Sequence, residues 1–132
     1  MITGSVSIDV PSLEAGARFY GGVFGFSKVA EPVPGVLVMR LVGLEVCLLA
    51  KAAGSEPSPK TTDSRRYERH WTPVHLDFHV DDLKAVMAQV REAGGVIEQV
   101  FENPEHGSAA FCADPFGHGF CLLERKVLRH GR

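Results

Sequence analysis

Residues 5–10 alternate strictly between polar and apolar. Val6, Ile8 and Val10 point to one side, and Ser5, Ser7 and Asp9 to the other. This pattern predicts a half-buried strand. Ser12 follows as a helix cap, and Leu13, Ala17, Tyr20 and Phe24 recur at helical spacing up to Gly25. Residues 26–30, 36–41 and 44–49 read as three short strands, broken by a proline-rich turn and by Gly43. The predicted order is β-α-β-β-β.

The chain then repeats itself. Residues 74–80 alternate again, with His75, Asp77 and His79 on the polar side. Asp82 caps a helix whose apolar stripe is Leu83, Val86, Met87 and Val90, and Gly94-Gly95 ends it. Strands are predicted at 96–101, 108–113 and 119–123. Each half closes on a Cys-Leu-Leu segment, beginning at Cys47 and at Cys121. A doubled pattern of this kind decides the fold class: α+β, with two tandem βαβββ modules. The boundaries read as 1–52 for the first module, 53–71 for a linker or loop, 72–126 for the second module and 127–132 for a tail expected to fray. Between the modules, Gly54, Pro57, Pro59 and the charged run 63–69 argue for a linker or mobile loop.

Composition narrows the function classes. The net charge is −2, and no basic run carries interleaved aromatics, so nucleic acid is not an expected partner. No apolar run approaches the ~20 residues a membrane span needs. The N-terminus lacks the basic-then-apolar pattern of a signal peptide, so a cytoplasmic location is expected. Cysteines number three, an odd count, and Cys47 and Cys121 lie in apolar strand-like segments. Free thiols in a reducing compartment are the plain reading.

Val10-Pro11-Ser12-Leu13, followed by Phe19-Tyr20 and Val23-Phe24-Gly25-Phe26, resembles the first-module signature of the vicinal oxygen chelate superfamily. That superfamily contains glyoxalase I, the bleomycin-resistance proteins and the extradiol dioxygenases. His75 with Val80-Asp81-Asp82-Leu83, Ala93-Gly94-Gly95 and Asp114-Pro115-Phe116-Gly117-His118 resembles its second module. The resemblance implies curled mixed sheets that form a cup, a small-molecule ligand or substrate, and a homodimer. The alternation agrees independently: the faces carrying Ser5, Ser7, Asp9 and His75, Asp77, His79 are polar. A polar stripe turned inward marks a binding cavity rather than a packed core. These six residues are the candidate ligand-binding set.

The resemblance also implies metal ligands: a first-strand His or Gln and a last-strand Glu. Here the first-module position holds Ser5, while His75 matches in the second. The last-strand position holds Cys121, and its first-module counterpart is Cys47. Glu124 has the opposite parity and should face the helix; Glu45 shares the parity of Cys47. An Fe(II) dioxygenase needs two His and one carboxylate, and a lyase needs a metal with a carboxylate base. Neither set stands at the matched positions, so no cofactor is expected. Two rescues remain. Cys47, Cys121 and His75 form a chemically reasonable zinc set. The stripe His75, Asp77, His79 is the other, although residues two apart on a strand stand ~7 Å apart.

Other residues carry weaker expectations. Asp77 beside His75 can orient the imidazole as a base, though a solvated stripe is the plainer reading. His118 reads as structural, and Tyr20 and Phe24 as core. Trp71, Tyr67 and Phe111 can wall a planar ligand, and Arg40 can pair with an acidic one. Cys121 lacks an evident activator as a nucleophile. Two functions follow. The first is a binder of a small molecule in the cup, like the bleomycin-resistance branch, with an incomplete family metal site. The alternative is a metal-dependent glyoxalase-like lyase or ring-cleaving dioxygenase using His75 and zinc or iron. A binder works in the presence of a chelator; an enzyme of the second kind does not.

Overall fold

The computed structural model describes residues 1–125; residue 126 and the tail expected at 127–132 lie outside the described residues. Strand β1 (Val6–Val10) leads into helix α1 (Leu13–Phe24), then β2 (Ser27–Ala30), β3 (Val36–Leu41) and β4 (Leu44–Ala50). Strand β5 (Leu76–Val80) leads into α2 (Leu83–Glu92), then β6 (Val96–Phe101), β7 (Ala109–Ala113) and β8 (Gly119–Glu124). The fold is α+β with two βαβββ modules, as the repeat predicts.

Each module is one four-stranded mixed sheet, ordered β1-β4-β3-β2 in the first and β5-β8-β7-β6 in the second. The first and last strands of a module lie side by side and parallel, Val6 against Val46 and Leu76 against Phe120. The other pairs are antiparallel. Ladder pairing starts at Val6 and Leu76, so Ser5, Val74 and His75 approach their strands rather than belong to them.

Alternation sends one face of each sheet to its helix. Val10, Val46 and Leu48 are fully buried in the first module, as Val90 and Leu122 are in the second. Phe19 and Tyr20 of α1 meet edge to face at 5.0 Å. Tyr20 is buried as expected, while Phe24 is only half-buried. Two glycines permit close packing. A Cβ on Gly16 would meet Leu48 at 2.9 Å, and one on Gly95 would meet the Ala113 carbonyl at 2.9 Å. Both helices start on the expected caps: Ser12 accepts from the Ala15 N–H and Asp82 from the Ala85 N–H. Glu124 faces its helix, as its parity predicts, accepting from the Leu83 N–H.

Compactness divides the chain after Tyr67. Residues 51–67 have no helix or strand, yet they are held in the first unit. The Gly54 N–H donates to the Arg65 carbonyl at 2.7 Å and the Arg65 N–H to the Ser55 carbonyl at 2.8 Å. The Arg65 guanidinium reaches Asp9 on β1 at 2.8 Å, and the Tyr67 hydroxyl donates to the Lys51 carbonyl at 2.6 Å. No helix among the described residues is long and apolar enough to cross a membrane.

Candidate functional site

The polar faces of the two sheets have different fates. In the first unit, Cys47 sits beside Ser7 in the ladder, and its thiol lies 3.8 Å from the Ser5 hydroxyl. Asp9 is given to Arg65. Arg40 pairs with Glu45 at 2.7 Å, so both side chains expected near the ligand are engaged with each other.

In the second unit, chemistry gathers. The parallel pairing of β5 with β8 places Asp77 directly beside Cys121. His75 precedes the strand and turns its ring along it, so that Nδ1 stands 2.9 Å from Asp77 Oδ1. The expected ~7 Å spacing between strand residues does not keep these two apart, because their side chains lean together. Cys121 Sγ lies 3.9 Å from the same Nδ1. An ionised carboxylate only accepts, so this hydrogen bond is donated by His75 Nδ1–H. Burial pushes the Cys121 thiol above its usual range, and Asp77, which accepts the thiol's hydrogen bond, pushes it further. It stays a thiol at neutral pH and is no nucleophile.

These residues floor a cavity of about 380 Å³. Trp71, Phe111 and Leu123 give it apolar walls, with Phe111 braced edge-on by Phe101 at 4.9 Å. Arg69 closes one side. Its guanidinium lies over Gly119, where a Cβ would stand 2.8 Å from it, and grips Glu98 of β6 through two hydrogen bonds at 2.6 and 3.1 Å. It also donates to the His70 carbonyl. His79 is exposed and does not line the cavity.

The donor set passes a test of fit for a divalent ion, in a combination the sequence did not single out. One ligand atom each from His75, Asp77 and Cys121 lies within 4.8 Å of the others. With bonds of about 2.0–2.3 Å, two ligands of one tetrahedral zinc stand about 3.3–3.8 Å apart. The separations of 2.9 and 3.9 Å within the cluster lie on either side of that span, and its nitrogen, oxygen and sulfur donors suit zinc. This set has Asp77 as its third member, where the sequence expectation named Cys47, a residue of the first unit. Arg69, Glu98 and Thr72 of the cavity wall were not foreseen; no periodicity of the sequence points to them.

The glyoxalase-like domain family matches residues 5–123. Among curated proteins none matches the chain. Among solved structures, the fosfomycin resistance protein FosX of Listeria monocytogenes is similar at a TM-score of 0.70 and 17% identity, over 96% of this chain and 97% of that one. A mutant of FosX from the same organism, complexed with Mn(II) and 1S,2S-dihydroxypropylphosphonic acid, gives a TM-score of 0.70 at 16% identity, over 98% and 95%. Lactoylglutathione lyase from Agrobacterium tumefaciens gives 0.63 at 16% identity, over 93% and 92%. At such identities the likeness is one of fold.

Proposed function

This chain belongs to the glyoxalase-like domain family, within the vicinal oxygen chelate superfamily, and on that premise we propose that it binds a small, largely apolar molecule in the cavity of its second module. The observation that carries this reading is the cavity itself: apolar walls ending on the compact polar cluster of His75, Asp77 and Cys121. Its volume of about 380 Å³ is that of a site for a one- or two-ring molecule. The polar candidates of the first module, Ser5, Ser7 and Asp9, are not part of this cavity lining. Trp71 is the chain's single tryptophan and stands in the wall, so its fluorescence reports occupancy. Titration with butylbenzene in EDTA should give a saturable change in that fluorescence. A linear, unsaturable response would remove the reading.

A second reading is favoured by one observation, the closeness of His75, Asp77 and Cys121. These three would hold a divalent ion, which when bound supplies Lewis acidity for a lyase or dioxygenase reaction. The Mn(II) in the FosX complex supports it by fold alone. Elemental mass spectrometry of untagged protein should then find near-stoichiometric zinc or iron that His75→Ala and Asp77→Ala both lose. A site that refuses added metal leaves the binding reading alone. On either reading the protein works as a cytoplasmic homodimer, which light scattering after size exclusion checks.

A further inference from the structure

The segment before β5 supplies Arg69, Trp71, Thr72 and His75 to the cavity wall, yet it has no regular structure. Residues 69–74 make no backbone–backbone hydrogen bond among the described residues. Most of their side-chain bonds stay local. The Thr72 hydroxyl donates to the Val74 carbonyl at 2.9 Å, and His70 Nδ1 stands 3.0 Å from the Glu68 carbonyl. Arg69 is the exception. Of its five N–H groups, one turns back to the His70 carbonyl and two go to the two carboxylate oxygens of Glu98 on β6. Among the described residues, this is the one hydrogen-bonded tie from residues 69–74 to the sheet.

The sheet leaves room for that side chain. A Cβ on Gly119 would stand 2.8 Å from Arg69 Nη2 and 3.1 Å from its Cζ, and one on Gly117 would stand 2.5 Å from the Glu68 carbonyl carbon. Exposed ion pairs contribute little in general, but the bidentate guanidinium–carboxylate pair is the geometry that holds. Here its side chains are 36% and 31% exposed. Trp71 is 77% exposed, so packing does not keep it in the cavity wall. Its place is inherited from the backbone, which Arg69 fixes on one side and the first rung of β5, at Leu76, on the other.

Resting on the reading that this cavity binds a small apolar molecule, we propose that Arg69 and Glu98 are positioning residues for that molecule: their clamp holds Trp71 as a wall against it. Neither side chain has to touch the ligand for this. Without the clamp, the ring is free to swing into solvent, and the ligand loses one apolar wall.

A double-mutant cycle tests the link. Butylbenzene is titrated in EDTA into the parent, Glu98→Gln, Trp71→Ala and the double variant, with calorimetry as the readout because it needs no tryptophan. Glu98→Gln and Trp71→Ala should each weaken binding about tenfold, the scale of one aromatic wall contact. The double variant should bind no more weakly than Trp71→Ala, since the clamp acts through that ring. Glu98 lies on an edge strand and is exposed, so its substitution should leave the fold in place. Fluorescence anisotropy supplies a reading without ligand: that of Trp71, the chain's single tryptophan, should fall in both Glu98→Gln and Arg69→Met. Full affinity in Glu98→Gln, losses that multiply in the double variant, or an unchanged anisotropy overturns the proposal and leaves small-molecule binding standing. If butylbenzene does not bind the parent, the function falls and the proposal with it.

Discussion

Cys112 and Cys121 stand on neighbouring strands and show how a single position sets chemistry. Cys112 is 1% exposed, and burial pushes its thiol up to about 12 from a usual 9.0. The unfolded chain gives up this proton first as pH rises. The thiol's contribution is therefore complete below about pH 9 and is lost as pH climbs towards about 12, at up to ~1.4 kcal/mol per pH unit. Denaturant titrations from about pH 8 to about pH 11 should show a flatter decline in Cys112→Ala than in the parent; equal slopes would refute the assignment. His75 shows the limit of reading residues singly. Its polar alternation with Asp77 was legible in the sequence, but the 2.9 Å contact was not. The spacing of strand residues describes Cα atoms, whereas the contact is made by side chains that lean along the strand.

At the scale of elements, the sequence was legible wherever a period or a cap marks it. Both helices begin on Ser12 and Asp82 as expected, and all eight strands appear. The join between modules was not, because Arg65 and Asp9 are distant in sequence and an ion pair leaves no periodic trace. Residues 51–67 are a strap fastened by that pair, whose side chains are 16% and 33% exposed. Arg65→Met should unfasten it. Hydrogen exchange at the Gly54 and Arg65 amides, now bonded within the strap, should quicken while the amides of β3 and β4 keep their protection. Unchanged exchange at both would show that the backbone bonds hold the strap without the ion pair. Cys121 was legible as a residue of the last strand. Its placement beside Asp77 needed the register of β5 on β8, which no residue pattern gives.

Across the molecule, the two modules are one plan with different contents. Leu48 and Leu122 hold corresponding places on the last strands, and both are fully buried. Leu48→Ala and Leu122→Ala should each cost about 2–5 kcal/mol in denaturant unfolding, since each leaves a cavity against its helix-facing core. A loss under about 1 kcal/mol for either would mean that its core relaxes to fill the space. The polar faces have diverged. Where the second module brings His75, Asp77 and Cys121 together, the first carries Ser5, Ser7 and Cys47, with no cationic or carboxylate partner at those places. The duplication thus keeps two frames and equips one of them.

The parallel pairing of first and last strands also sets an order of assembly. The antiparallel hairpins β3–β4 and β7–β8 join neighbours in sequence and need only short loops to close. Strand β5 has to wait for β8, which arrives after a helix and two further strands. Closing that long loop costs more chain entropy, so it is the slower event. Asp77 rides on β5 and Cys121 on β8. The cluster therefore comes into being with the last pairing of its module, and a chain that has made only its hairpins has no site to offer.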